Sequence, residues 1–193
     1  MNLEKQAYLL TMIESLAAAG VRPTKSHIQL SIFLLSLVTG NYVPFKFFWN
    51  GGPHSYKIEE ELAQMLSYAA IAYRPDEYPA RSMAFHPDQR NAPWLRSRHR
   101  LEPQAVQRIR TLCAFVACRG KVPVDLHRQA TAAWIMRREH STDYYETIRR
   151  FRQLRYGDSF SEISDAVTTA ELWFRIAEPQ QSPISSESYV SLS

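Results

Sequence analysis

Residues 45–55 read Phe-Lys-Phe-Phe-Trp-Asn-Gly-Gly-Pro-His-Ser, and a charged amphipathic run follows them as far as Leu62. The aromatic alternation predicts a strand over 43–50, and the Gly-Gly-Pro after it predicts a turn. Ser55 stands where the N-cap of a helix through about Tyr68 is expected. The stretch therefore predicts a strand, a turn and a helix in succession.

The flanking sequence extends this order in both directions. Amphipathic helices are predicted over 3–19 and 24–40, with Gly20 as the stop of the first and Thr24 as the cap of the second. A hairpin or wing is predicted over 71–85, around Pro75 and Pro79. Helix, helix, strand, helix and hairpin is the order of a winged helix-turn-helix, so we expect that fold in the N-terminal half.

The second half has the pattern of helices alone. Helices are predicted over 102–118, from an Asp125 cap, from a Ser141 or Thr142 cap, and from a capping box of Ser159 with Glu162. The expected fold is mainly α, with the winged helix packed on a helical C-terminal subdomain. The predicted domains are a winged-helix subdomain 1–86, a basic linker 87–100, a helical subdomain 101–177 and a flexible Ser-rich tail 178–193.

Composition narrows the function classes. The chain has 193 residues, of which 45% are hydrophobic, as in ordinary globular proteins. No apolar run approaches the ~18 residues of a membrane span, and no signal peptide is evident, so we expect a cytoplasmic protein without membrane partners. Cys113 and Cys118 are expected to be buried structural thiols, because no metal or nucleophile–base spacing accompanies them. We therefore predict no catalytic residues, no metal, no cofactor and no enzymatic activity.

Charge is distributed in blocks. Arg supplies 18 of the 23 cationic side chains, and the formal net charge is +4. Segments 86–110 and 137–155 carry net charges of +4 and +3, whereas 57–77 and 158–178 carry −3 and −4. Such blocks predict two basic and two acidic surfaces, and they also suit self-association as a homodimer.

The basic blocks contain the candidate nucleic-acid contacts. Arg is suited to bidentate phosphate contacts, and an interleaved aromatic residue suits base stacking. The alternative for the first block is that its arginines pair with the acidic blocks, within the chain or across a dimer. The alternative for the second block is that cations near a helix C-terminus are favoured anyway. The predicted nucleic-acid-binding residues are Arg90, Trp94, Arg96, Arg98, Arg100, Arg108, Arg110, Arg149, Arg150 and Arg152.

Two features of the 45–62 stretch bear on function. Glu59, Glu60 and Glu61 would repel phosphates, so standard major-groove readout by this helix is disfavoured; we expect them to form a solvated acidic face. Backbone N–H groups near Gly51, Gly52 and His54 could hold an anion. The Gly-Lys-Ser/Thr ending of a P-loop is absent, so a structural turn is the favoured interpretation.

Several motifs resemble one protein family when taken in order. Segment 49–55, with Leu62 and the ending 68–71, looks like the Y-x-Y-G-P-Y-S region of the YwgA-like proteins, which are broadly similar to the SocA/Panacea antitoxin-associated domain. Segments 26–35, 125–139 and 152–161 resemble the family's early K-L-Q-K-L-x-Y-L-L helix, its L-x-x-A-T-A-x-Y-L-L-R-E helix and its L-K-P-x-F-S stretch. The resemblance spans roughly residues 3–173.

The resemblance implies a winged-helix core with a helical extension and no enzymatic activity, often encoded near phage-defence or toxin–antitoxin systems. Together with the arginine blocks it predicts a nucleic-acid-binding or regulatory component of such a system, with DNA as the expected nucleic acid. The alternative is a protein-interaction adaptor or antitoxin, which would meet a toxin or effector subunit through the acidic helix segment 59–61 and the Ser-rich tail.

Overall fold

The computed structural model describes residues 2–39, 43–74, 83–141 and 143–177. In these ranges the protein is mainly helical, with short strands confined to its first half. The elements are α1 (Leu3–Ala18), α2 (Lys25–Thr39), β1 (Phe48–Trp49), β2 (Pro53–His54), α3 (Tyr56–Ser67), β3 (Ile71–Arg74), β4 (Ala84–Pro87), α4 (Ala92–Arg98), α5 (Pro103–Arg119), α6 (Pro123–Arg138), α7 (Tyr144–Leu154) and α8 (Phe160–Ala177). None of the described helices is long and apolar enough to cross a membrane.

The first two helices have the predicted boundaries. Gly20 has a φ of +77°, and the N–H groups of Gly20 and Val21 donate to the carbonyls of Ala17 and Leu16 at 3.0 and 2.9 Å. This is the Schellman arrangement that ends a helix at a glycine. Thr24 caps α2 as predicted, because its Oγ1 accepts from the His27 N–H at 3.3 Å.

Helix α2 is the central element of the fold. Every residue from His27 to Ser36 is buried, and α2 packs against α1, α5, α6 and β2. The indole Nε1 of Trp173 in α8 donates to the Leu34 carbonyl at 3.2 Å. The two halves of the chain therefore share one hydrophobic core, since α1 also packs along α5.

The predicted strand 43–50 is correct only over β1. Phe48 pairs with His54 and Trp49 pairs with Pro53, so β1 and β2 form a small antiparallel hairpin. The preceding Val43 and Phe45 are buried in the core without strand pairing. The alternation of aromatic residues therefore reflects side chains that are buried along an irregular segment, and only its last two residues, Phe48 and Trp49, form a strand.

The predicted hairpin 71–85 is confirmed in its two arms. β3 and β4 pair antiparallel from Ile71 opposite Pro87 to Arg74 opposite Ala84; its turn, with Pro75 and Pro79, lies outside the described residues. Thr24 forms an isolated antiparallel bridge with Ala84, and the Phe85 N–H donates to the Pro23 carbonyl at 2.9 Å. The connection between α1 and α2 therefore lies along β4, on the opposite side of that strand from β3, where a third strand of the sheet would be.

The segment 87–100, predicted to be a basic linker, is helical in its central part. Residues 92–98 form α4, which has Pro93 in its first turn. Ala92 and Leu95 are buried, and α4 packs on α1. A short amphipathic helix is hidden in a Pro-, Asn- and Arg-rich composition because only these two residues provide its apolar face.

The caps of the C-terminal helices agree with the sequence in part. The box of Ser159 and Glu162 is confirmed, with the Ser159 N–H donating to Glu162 Oε2 at 2.8 Å and the Glu162 N–H to Ser159 Oγ at 3.3 Å. Asp125 lies inside the first turn of α6, which starts after Val122. The cap of α7 is Asp143, whose Oδ1 accepts from the Glu146 N–H at 2.8 Å. The tail 178–193 lies outside the described residues.

Candidate nucleic-acid interface

The first arginine block surrounds α4. Ala92 and Leu95 hold this helix on the core, so the remaining positions of its seven residues face outward. Trp94 is 38% exposed, and the guanidinium carbon of Arg98 lies 6.0 Å from the centre of its ring. The edge of the indole also meets Tyr68 at 6.2 Å between centroids. The predicted combination of an aromatic ring with arginines is therefore formed at this surface.

Two arginines of the block are paired within the chain. Arg90 Nε and Nη2 donate to Asp88 Oδ1 and Oδ2 at 3.1 and 2.7 Å, and hydrogen bonding to Arg90 lowers the pKa of the Asp88 carboxyl to about 2. Arg96 Nε donates to Glu14 Oε1 at 2.9 Å. The intrachain pairing that the sequence left open is thus present for Arg90 and Arg96.

Arg100, Arg108 and Arg110 are arranged differently. Arg100 is exposed just after α4. Arg108 lies close enough to Tyr8 for its positive charge to oppose the rise in the pKa of that phenol, a rise that burial causes. Arg110 is exposed and borders an apolar groove between α5 and α8. Arg108 and Arg110 of α5 therefore lie on different parts of the surface.

The predicted contacts of the second arginine block, Arg149, Arg150 and Arg152, lie on α7, which packs on α6 and α8. Arg149 pairs with Glu146 at 3.7 Å, and Arg150 Nε donates to Glu139 Oε2 at 2.6 Å. The Arg152 guanidinium lies 5.7 Å from the Phe160 ring. Arg149 and Arg150 thus have acidic partners within the chain, whereas Arg152 lies in the last turn of α7, where the alternative interpretation expects cations to be favoured.

The acidic segment of α3 is not a fully solvated face. Glu61 is buried and accepts from Gln6 Nε2 at 2.8 Å, which corrects the sequence-based expectation. Lys57 pairs with Glu60 at 2.8 Å and with Glu61 at 3.2 Å, and Lys25 pairs with Glu59 at 2.8 Å. The N-terminal part of α3 therefore presents carboxylates that already have cationic partners of their own.

The cysteines differ from each other. Cys113 is buried, and burial raises the pKa of its thiol to about 12, whereas Cys118 is exposed. The expectation of two buried thiols is wrong for Cys118. Within 2–39, 43–74, 83–141 and 143–177 no group of three or more His, Cys, Asp or Glu side chains could hold a metal ion.

The turn at Gly51 and Gly52 is tight, as predicted. Gly51 has a φ of +64°, which favours glycine, and the Asn50 N–H donates to the Gly52 carbonyl at 2.8 Å. Ser55 is the N-cap residue of α3, but its hydroxyl makes no cap hydrogen bond. Instead the Ser55 N–H donates to Gln29 Oε1 at 2.9 Å.

Sequence reasoning missed a polar network around α6. Arg128 contacts Asp125 at 3.0 Å, Asp158 at 3.1 Å and Glu162 at 2.5 Å. Asp158 also accepts from Arg155 Nε at 2.5 Å. The three carboxylates lie 3, 30 and 34 positions from Arg128 in sequence, so only the Asp125 pair has a local signal. The other two pairs depend on how α6 and α8 pack.

Comparison with known proteins assigns no relative, because no protein-family model matches the sequence and no curated protein matches it.

Proposed function

We propose that the protein is a non-enzymatic nucleic-acid-binding protein of winged-helix type, which grips DNA through an α4 surface made of Trp94, Arg98 and Arg100, with Arg90 and Arg96 at its edge. The observation that carries the proposal is the exposed Trp94 ring with the Arg98 guanidinium beside it. An indole offers a face for base stacking, and a guanidinium supplies a phosphate contact or a second stacking plane.

The arrangement of the first half supports the winged-helix assignment. In a winged helix, a strand between the first two helices pairs with the last strand of a hairpin that follows the third helix. Here Thr24 bridges to Ala84, and the hairpin of β3 and β4 follows α3. The acids of α3 argue against that helix as the reading element, so the proposed contact is made by α4, which directly follows the hairpin.

Arg90 and Arg96 can make additional phosphate contacts if they exchange their carboxylate partners. The arginine of each pair is exposed, at 75% for Arg90 and 47% for Arg96, and ion pairs at the surface contribute only about 0–1 kcal/mol. A phosphate can therefore replace either carboxylate at little cost. The salt dependence of DNA binding reports which arginines take part, because its logarithmic slope is about −0.9 per phosphate contact.

The test is a fluorescence-anisotropy titration of the full chain with double- and single-stranded DNA and RNA, between about 50 and 200 mM salt. We expect duplex DNA binding with a slope of about −2 if Arg98 and Arg100 alone contact phosphates, and about −4 if Arg90 and Arg96 join them. The triple variant Trp94→Ala, Arg98→Gln, Arg100→Gln should lose this binding. Wild-type affinity in that variant would overturn the proposal.

Three further variants separate the α4 surface from the other arginines of the chain. Arg138→Gln with Arg175→Gln removes two exposed arginines outside the α4 surface and should leave the affinity nearly unchanged. Glu14→Gln frees Arg96 from its partner and should tighten binding and steepen the slope. Arg149→Gln with Arg152→Gln asks whether α7 contributes, and little change is expected because α7 packs on α6 and α8, away from the α4 surface.

The second candidate is a protein-interaction adaptor. An apolar groove of about 550 Å³ between α5 and α8 favours it, because Phe115, Leu172 and Ile176 line the groove and Ile176 is 48% exposed. A partner held by such a groove would bind with little dependence on salt, whereas phosphate contacts weaken steeply with salt. The place in a phage-defence or toxin–antitoxin system rests on the motif resemblance and applies to either candidate.

A further inference from the structure

A polar cleft separate from the α4 surface lies where the two halves of the chain meet. We name it the histidine cleft after His54 and His127, which line it together with Lys25, Gln29 and Arg155. Its volume is about 630 Å³, within the usual range of small-molecule sites. It is bordered by α2, the β1–β2 hairpin, the first turn of α6 and the residue after α7.

The hydrogen bonds around His54 define which ring nitrogen carries its proton. The Ser55 N–H donates to Gln29 Oε1 at 2.9 Å, which orients the Gln29 amide so that its Nε2 is the donor toward His54 Nδ1, 3.3 Å away. A nitrogen that faces a donor must offer its lone pair. The neutral His54 ring therefore carries its proton on Nε2.

The same reasoning applies to His127. Arg155 Nη1 contacts His127 Nδ1, and since a guanidinium has only donors, Nδ1 accepts and Nε2 carries the proton. A Cβ on Gly52 would lie 2.2 Å from His127 Nε2. The absence of a side chain at Gly52 is therefore what lets the imidazole lie against the hairpin, with His127 Nε2 packed against Gly52 and not offered to the cleft. The imidazole donor of the cleft is His54 Nε2, which lies 3.9 Å from Glu59 Oε1.

Two cationic side chains also line the cleft. Lys25 lines the cleft with its side chain 59% exposed, and Arg155 lines it from the far side. The acid Glu59 also lines the cleft, but its carboxylate is paired with Lys25 at 2.8 Å, and Asp158 is held by Arg155 and Arg128. Lys25 and His54 Nε2 thus face the same oxygen, Glu59 Oε1, at 2.8 and 3.9 Å. Because the Lys25–Glu59 pair is exposed and such pairs are weak, a phosphate oxygen can take the place of this carboxylate between the two donors.

An aromatic cluster stands at the rim of the cleft. His54 makes edge-on contacts with Phe48 at 5.4 Å and with Tyr56 at 4.9 Å, and the Phe48 and Tyr56 rings lie 4.9 Å apart. Phe48 is 37% exposed and Tyr56 is 64% exposed. Exposed rings next to phosphate-type donors provide a face on which a planar base can stack.

We propose that the histidine cleft binds a 5′-mononucleotide, with its phosphate among His54, Lys25 and Arg155 and its base against Phe48 and Tyr56. This site shares no residue with the α4 surface, so either proposal can fail without the other. The same chemistry occurs in a free nucleotide and at the 5′-phosphorylated end of a nucleic-acid strand, and the experiment separates these two sources.

The experiment is isothermal titration calorimetry of the full chain with the four ribonucleoside 5′-monophosphates, the matching nucleosides and inorganic phosphate. We expect the nucleotides to bind more tightly than either part alone. Two exposed positions are changed so that folding is preserved, which circular dichroism checks. Tyr56→Ala should weaken nucleotide binding about tenfold, as expected when one base-stacking ring is removed, and leave phosphate binding unchanged. Lys25→Gln should weaken both.

Matched controls use the same substitutions elsewhere. Tyr145→Ala and Lys46→Gln change exposed side chains away from the cleft and should bind like the wild type. A short oligonucleotide with a 5′-phosphate is then compared with the same strand without it. Tighter binding of the phosphorylated strand than of the unphosphorylated strand, with the difference lost in Lys25→Gln, identifies strand ends as the source. The absence of binding by any probe at millimolar concentration, or wild-type affinities in both Tyr56→Ala and Lys25→Gln, would overturn the proposal.

Discussion

The α4 surface and the histidine cleft use the same residue types but hold them in opposite ways. On the α4 surface, arginines are exposed and their ion pairs, such as Arg96 with Glu14, are in contact with solvent. Behind the cleft, Arg128 and Asp158 have side chains only 15% and 9% exposed, and Arg128 contacts three carboxylates. The number of arginines in a segment therefore does not predict nucleic-acid binding. Buried arginines stabilise the fold, whereas exposed arginines can exchange a carboxylate for a phosphate.

The largest expected effect comes from breaking the buried network. Arg128→Gln should lower the free energy of unfolding by about 3 kcal/mol, because it leaves Asp158 largely buried without one of its two cationic partners. Urea denaturation measures the change. If Arg128→Gln lowered the free energy of unfolding no more than the substitution of an exposed arginine does, the contrast between the two regions would be wrong.

Gly52→Ala tests the contact that shapes the cleft. The added methyl group would overlap the His127 ring, which Arg155 holds in place, so we expect a loss of about 2 kcal/mol. Thermal unfolding gives the value. Gly51→Ala is the matched control, because nothing lies within 4 Å of its Cβ position and only its φ of +64° is unfavourable for alanine, at about 1 kcal/mol. Equal losses would contradict a specific role for the Gly52–His127 contact.

The lowered pKa values of His27 and His127 predict that the stability of the fold depends on pH. Burial, assisted by the positive charge of Arg155, lowers the pKa of His127 below its ordinary 6.5, and burial likewise lowers the pKa of His27. The unfolded chain therefore binds more protons below pH 6.5, so stability is complete above that pH and falls as the pH drops toward the folded-state pKa values. Urea denaturation at a series of pH values measures this decline.

A variant assigns the origin of that dependence. Arg155→Gln removes a positive charge beside His127, so the pKa of His127 should rise toward its ordinary value. Histidine NMR titration follows each ring separately, with His27 as the internal control that should not move. A His127 pKa that stays unchanged in this variant would show that burial alone is responsible.

The smallest expected effect belongs to the α4 surface. Arg96→Gln removes an exposed pair and should change the free energy of unfolding by less than about 1 kcal/mol, while the slope of DNA binding against salt becomes shallower if Arg96 contacts phosphate. Denaturation and anisotropy on the same sample measure both. A destabilisation comparable to that of Arg128→Gln would make Arg96 a structural residue.

Local patterns in the sequence determined much of the fold. Gly20 ends α1, Thr24 caps α2 and Ser159 with Glu162 opens α8, because each signal acts within four residues of the backbone groups that it satisfies. The long periodic helices follow from the spacing of their apolar residues. The cap of α7 at Asp143 and the short helix α4 were missed, since their signals are weak against Pro- and polar-rich surroundings.

By itself the sequence determined a mainly helical chain, its principal helix boundaries and an arginine-rich segment around Trp94. Only the tertiary structure decided which arginines are engaged, because the partners of Arg96 and Arg128 stand 82 and up to 34 positions away. It alone brought Lys25, His54, His127 and Arg155 to one cleft. The physical reason is that charge pairing and cavity formation depend on distances in space, and these are set when the faces of α2, α6 and α8 pack into a common core.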